Sequence, residues 1–249
     1  ASDVYKRQIS NCSGSGATPG TAGCEAQVEG TNAFYGGNAA ADNSGVIRYV
    51  QVKHSGFVIV ANNELQGITM AGVGTGTGFD HIQVHNSSDD GIEFFGGTVN
   101  GKYLVMTGND DDSIDTDVGY NGSLQFGIIV QRANGGNRAF ETSSAGTAPR
   151  SNPKFANWTV IGRGGSGNDL LVGNTSTNSV WINSVVVMTA ATAGCVDIDD
   201  ATTQATFHSV VLACATPFTE DTNVNAAANQ ALFNAGTNNS STFTSTLSG

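Results

Sequence analysis

The sequence predicts an all-β chain wound into a right-handed parallel β-helix, a single-stranded solenoid. Three observations carry that expectation. From about residue 45 the chain repeats itself imperfectly, with a period of about 22 residues. Each repeat holds two short β-branched or apolar runs separated by Asn, Gly, Ser or Asp. No stretch shows a sustained apolar stripe of helical period. Short apolar runs bounded by polar turns read as strands, and a fixed period above about 20 residues marks a solenoid.

The first residues are set aside. DVYKRQ at residues 3–8 back-translates as GAT GTG TAT AAG AGA CAG, the end of a transposase adaptor used in library preparation. Residues 1–8 are therefore expected to be foreign, with the natural start and any export signal upstream of them. Residues 9–44 are read as an N-terminal cap segment, 45–220 as coils, and 221–249 as an Asn/Ala/Thr-rich cap or truncated coil.

The repeat is clearest between FDHIQVHNSSDDGIEFFGGTV, from Phe79, and GKYLVMTGNDDDSIDTDVGY, from Gly101. Val84 matches Met106 and Ile92 matches Ile114, each 22 residues on. VIRYVQVKHSG with ELQGITMAGVG forms a preceding unit. LQFGIIVQRANGGNRAFETSS, FANWTVIGRGGSGNDLLVGNTS and SVVVMTAATAGCVDIDDATT follow, and HSVVLACATPFTED is a weaker last unit. Stacked in parallel about 4.8 Å apart, equivalent strands bury their inward side chains as columns. One expected column is Ile68, Ile92, Ile114, Phe140, Leu170 and Val196; another is Val52, Val84, Met106, Val130 and Ile161. Residues 142–154, with two of the four prolines, interrupt the period as a loop. An antiparallel sandwich is the alternative, but the units translate along the chain without hairpin inversion.

Composition narrows the function. The chain carries 21 acidic and 10 basic side chains, a net charge of −11, which argues against nucleic-acid binding. Apolar residues make up 39 %, enough for a core. No apolar run approaches the length of a membrane span. Four cysteines without CxxC spacing suggest two disulfides, Cys12–Cys24 and Cys195–Cys214, in an oxidising compartment, with free thiols as the alternative. GVGTGTG at residues 72–78 reads as turns, because no helix follows to cradle a phosphate.

Eight of the 21 carboxylates fall within residues 89–117, with Lys102 the only base there. The repeat register places Glu93, Asp115 and Glu141 at one coil position, alternating with inward Ile92, Ile114 and Phe140 and hence facing outward. Asp90, Asp112 and Arg138 form a neighbouring row at the turn. Stacked carboxylates repel unless a cation or an arginine neutralises them. Glu93, Asp115, Glu141 and Asp117 are therefore candidate ligands for Ca²⁺, and Glu93, Asp115 and Glu141 for a bound ligand. A solvated acidic face is the plainer alternative, and Asp90 and Asp112 are expected to accept backbone N–H groups. GNDDDSID lacks the glycine and closing Glu of an EF-hand loop.

Weaker catalytic candidates are Asp112, Asp115, Arg138, His81 and His85. The carboxylates could serve a glycosidase, and a lyase would need an uncharged arginine, from Arg132, Arg138 or Arg150, as base. His81 and His85 share one strand face and read more simply as an exposed polar surface. Phe94, Phe95, Tyr103, Tyr120, Phe126, Trp158 and Trp181 would stack on sugars if outward, or fill core corners if inward.

DNSGVIRYVQVKHSG (42–56), NNELQGITMAGVGTGT (62–77), DDGIEFFGGTVN (89–100), DDDSIDTDVGYNGSLQF (110–126) and PRSNP (149–153) resemble a family of secreted or lipid-anchored bacterial β-helix proteins, within the pectate-lyase-like superfold. The resemblance covers most of residues 11–240 and implies further N-terminal coils. It also implies an extracellular, outer-membrane-surface or periplasmic setting in a gram-negative bacterium. It carries over no catalytic residue. The expected function is a monomeric, non-catalytic surface solenoid binding a polysaccharide or Ca²⁺ on the acidic face. The alternative is a polysaccharide lyase or another carbohydrate-active enzyme.

Overall fold

The computed structural model describes residues 25–29, 34–37, 39–60, 63–144, 150–164, 169–191, 193–221 and 223–247. Residues 1–8, expected to be foreign, and Cys12 and Cys24, expected to form a disulfide, lie outside the described residues. An antiparallel pair, β1 (Glu25–Gln27) and β2 (Phe34–Gly36), leads into β3 (Val46–Lys53). A second antiparallel pair follows, β4 (Phe57–Val60) and β5 (Asn63–Leu65). Short and long strands then alternate: β6 (Ile68–Ala71), β7 (Gly78–His85), β8 (Ile92–Phe95), β9 (Gly101–Thr107), β10 (Ile114–Asp117), β11 (Ser123–Val130), β12 (Phe140–Thr142), β13 (Lys154–Gly162), β14 (Leu171–Gly173), β15 (Asn178–Met188), β16 (Gly194–Ile198), β17 (Gln204–Ala213) and β18 (Thr216–Phe218). Helix α1 (Ala226–Ala235) ends the sequence of elements.

The short strands β6 to β18 form one seven-stranded parallel sheet. The long strands, with β3, form the other. The chain is thus a parallel β-solenoid, and the repeat units are its coils.

Every long strand bends once, at a residue with left-handed backbone: Tyr49, His81, Tyr103, Phe126, Asn157, Asn183 and Ser209, with φ of 55°, 56°, 58°, 59°, 59°, 49° and 55°. Parallel pairing passes over this position from coil to coil. The corner breaks the alternation of buried and exposed residues, leaving Lys102 and Tyr103, and Gln125 and Phe126, outward in succession.

The core is the expected set of columns, with two shifts of register. Ile68, Ile92, Ile114 and Phe140 stack in register, and the next partner is Leu171 rather than Leu170. Val52, Val84 and Met106 are followed by Ile129, Val160 and Val186, not by Val130 and Ile161. In each case apolar neighbours adjoin, as in Ile128-Ile129-Val130, so hydrophobic alternation could not decide the parity. Phe140 packs against Phe155, Trp158 and Trp181 with ring centroids 4.8, 4.9 and 4.8 Å away. The Trp158 indole donates to the Leu124 carbonyl at 3.0 Å. Gly127 makes room for that indole, since any Cβ there would collide with its ring.

The C-terminal end is closed by α1, a helix that the sequence reading missed. Its apolar signal is confined to few positions, with Asn229 and Phe233 its buried residues. Phe233 packs on Phe207 and Phe218 at centroid distances of 5.2 and 5.4 Å. Asn239 donates its side-chain amide to the carbonyls of Phe207 and Phe233 at 2.9 and 2.8 Å, covering the last coil. A disulfide joins Cys195 and Cys214, whose Cα atoms lie 6.3 Å apart.

Phe140 is fully buried at the centre of the aromatic column. Phe140→Ala is expected to cost about 3–5 kcal/mol through lost burial and the cavity left behind. Urea unfolding followed by tryptophan fluorescence checks this. A loss below about 1 kcal/mol would mean that the column does not hold the coils together.

Candidate acidic site

The short-strand sheet places its outward side chains in rows. Glu93, Asp115 and Glu141 stand side by side on β8, β10 and β12 in direct register. The next row position before these strands holds Asp90 and Asp112. The Asp112 N–H donates to Asp90 Oδ1 at 2.9 Å, and the Arg138 N–H donates to Asp112 Oδ1 at 2.7 Å. These two aspartates tie successive coils together, so their first role is structural.

The row lies in a cleft, with Glu93 buried and Asp115 and Glu141 half-buried. Residues from the β1 end, Gln27 to Glu29, and from β5, Asn63 and Glu64, help to line a cleft of about 520 Å³. Asp89, Asp90, Glu93, Asp111, Asp112, Asp115, Asp117 and Glu141 line it as well. Glu93 is only 5 % exposed. The sequence reading did not single out Glu29, which precedes the coils, or Glu64, which stands on the antiparallel β4–β5 pair rather than on a stacked parallel strand.

The carboxylates are satisfied unequally. Glu141 Oε1 accepts from the Asn174 amide at 2.9 Å, and Oε2 pairs with the Arg138 guanidinium. Glu93 Oε2 and Asp115 Oδ1 are buried without a hydrogen-bond partner. One ligand oxygen from each of Asp90, Glu93 and Asp115 lies within 4.8 Å of the others, as do those of Asp89, Asp90 and Asp111. The geometry therefore groups Glu93 and Asp115 with Asp90. Glu141 is already engaged, and Asp117 lines the cleft while accepting the Val118 N–H.

Burial, reinforced by the neighbouring carboxylates, pushes Glu93 up to about 11 and Asp89 up to about 6. The same causes hold Asp90, Asp112 and Asp115 well above the usual carboxylate range. Burial disfavours charge on Arg138, but Glu141 and Asp112 outweigh it and hold the guanidinium charged.

The other sequence candidates lie elsewhere. His81 and His85 are on β7 of the long-strand sheet and do not line the cleft. The His81 ring contacts Asp80 at 2.6 Å, and His85 contacts Thr107 Oγ1 at 2.8 Å. Arg132 pairs with Asp110, and Arg150 bonds to Gln204 and the Thr202 carbonyl. Trp158, Trp181, Phe94, Phe95 and Tyr120 are core residues, whereas Tyr103 and Phe126 are exposed.

Carboxyls in an unfolded chain titrate near pH 4. A folded-state value raised above that gives stability that is full at low pH and is lost as pH rises towards the folded value. In excess EDTA, the melting temperature is expected to fall from about pH 5 to about pH 8, and Glu93→Gln should flatten the fall because Glu93, pushed up to about 11, is raised further than Asp89, at about 6. Scanning calorimetry across pH checks this; an equal or steeper fall in the variant would show that Glu93 is not its source.

A search of curated proteins and of solved structures gave no match. A family model described as a pectate-lyase like beta helix domain matches residues 12–248. That span takes in every described coil and the capping helix, and its strand pairing is the parallel solenoid found here. The fold relates the chain to carbohydrate chemistry in general terms: the protein belongs to the pectate-lyase-like beta-helix domain family.

Proposed function

We propose that the protein is a non-catalytic surface or secreted β-solenoid that holds a hard divalent cation, Ca²⁺, in the acidic cleft and through it binds acidic polysaccharide. One observation carries this reading. Glu93 Oε2 is buried without a partner beside Asp90 and Asp115, whose oxygens converge with those of Glu93 within 4.8 Å. All-oxygen donors and loose geometry suit Ca²⁺ better than zinc. Bound there, the ion supplies positive charge that offsets carboxylate repulsion and leaves coordination positions for a uronate. Asp117 and Asp111 also line the cleft.

A lyase with an arginine base is disfavoured by the surroundings of the arginines. Arg138 is held charged by Glu141 and Asp112, so it is a poor base. Arg132 and Arg150 are engaged away from the cleft. The disulfide between Cys195 and Cys214 supports an oxidising, extracytoplasmic setting such as the cell surface or periplasm.

Binding to the folded state alone raises stability by about 2.7 kcal/mol at a hundredfold excess over Kd. For a chain of this size that corresponds to a melting shift of about 5–10 °C. Saturating calcium chloride is expected to produce such a shift, EDTA to reverse it, and Glu93→Gln with Asp115→Asn to abolish it. Differential scanning fluorimetry reads the result, and an identical melting temperature in calcium and EDTA would reject the cation site. With calcium present, acidic polysaccharides should bind without growth of unsaturated-product absorbance. Growth of that absorbance would establish the lyase alternative.

A further inference from the structure

The long-strand sheet carries a second feature that the acidic cleft does not explain. At the left-handed corner, four consecutive coils place Tyr49, His81, Tyr103 and Phe126. Their rings form an external ladder with centroid spacings of 4.5, 4.6 and 5.4 Å and interplanar angles of 27°, 37° and 15°. Tyr49 is 78 % exposed, Tyr103 42 % and Phe126 44 %. The core has its own, separate aromatic column, so these rings are not core residues displaced outward.

The backbone makes the choice of residue informative. A left-handed conformation is cheap for Gly and Asn and disfavoured for bulky side chains. The next two coils use Asn157 and Asn183 at this corner, and the Asn183 amide donates to Asn157 Oδ1 at 2.5 Å. The corner therefore works with asparagine, yet four coils in succession hold aromatic rings there. Strained backbone maintained at a surface points to a function for the side chain.

Beside the ladder runs a second row, two residues further along each strand: Gln51, Gln83, Val105 and Ile128. The Gln51 amide donates to Gln83 Oε1 at 2.8 Å. The two rows line a groove of about 540 Å³ that crosses the coils along the solenoid axis. None of its lining residues is Asp, Glu, Lys or Arg. The groove therefore offers no charged side chain for a polyanion or a polycation to pair with. His81 is fixed in place, since Asp80 contacts its ring at 2.6 Å and accepts from Arg48 at 2.7 Å. The Lys102 ammonium lies 5.6 Å from the Tyr103 ring centroid, holding that ring from its strand neighbour.

We propose that this groove binds a neutral polysaccharide chain lengthwise, across the coils from Tyr49 to Phe126. Pyranose rings present apolar C–H faces to aromatic and aliphatic walls, and hydroxyls that exchange hydrogen bonds with amides, phenols and imidazole. A preformed ladder loses little freedom on binding. The site is on the other sheet from the acidic cleft, needs no cation, and stands or falls separately from it.

Affinity electrophoresis through gels containing mixed-linkage β-glucan, xylan or galactomannan tests the proposal, with EDTA throughout. The probe variant is Tyr103→Asn combined with Phe126→Asn, which installs the residue that later coils carry at the same corner and so preserves the fold. At least one neutral polymer is expected to retard the wild type, and the double variant should bind at least tenfold more weakly with an unchanged or raised melting temperature. Glu93→Gln should be retarded like the wild type. No retardation in any of the three gels would overturn the proposal, as would equal retardation of the double variant. Dimerisation in ultracentrifugation that the double variant abolishes, without retardation, would assign the ladder to self-association and overturn it too.

Discussion

Parallel stacking of coils about 4.8 Å apart is the constraint from which the other features follow. Hydrogen bonding in register places every residue directly beside its equivalent in the next coil. Where that residue is apolar, the repetition builds a dry column, as in Ile68, Ile92, Ile114 and Phe140. Where it is a carboxylate, the same repetition forces like charges together, as in Glu93, Asp115 and Glu141. Where it is a left-handed corner, it turns single exposed rings into a ladder.

The chain meets the cost of its acidic stack in graded ways. Asp90 and Asp112 accept N–H groups from the following coil, which converts repulsion into a link between coils. Glu141 is neutralised by Arg138 and held by Asn174. Glu93 and Asp115 are left with buried oxygens that no protein group satisfies. An unsatisfied buried carboxylate is costly enough that it takes up a proton or a cation. The residue that makes the site chemically open is therefore the one with the poorest intramolecular company.

Two faces of one solenoid have acquired opposite character. The short-strand sheet presents a cleft crowded with carboxylates, and the long-strand sheet presents a groove without a charged lining residue. The architecture permits this because inward side chains alone bear the packing. Among the described residues the two ends differ as well: α1 packs on the last coil, whereas Val46, Tyr49, Phe57 and Val60 are exposed at the first.

The sequence by itself determined the solenoid, the outward row of Glu93, Asp115 and Glu141, and most of the core columns, because stacking converts a sequence period directly into spatial adjacency. It misplaced Leu170, Val130 and Ile161 by one residue, where consecutive apolar residues carry no parity. It missed α1, whose fit depends on Phe233 meeting Phe207 and Phe218 rather than on a helical stripe. Only the tertiary structure decided that the acidic row shares a cleft with Glu29, which precedes the coils, and Glu64, which comes from the antiparallel β4–β5 pair. Likewise only folding showed that Tyr49, His81, Tyr103 and Phe126 share a corner, because a left-handed bend leaves no periodic signature in residue type. What repeats along the chain is legible in one dimension; what is brought over the repeat from elsewhere, and how each coil bends, exists only once the coils have stacked.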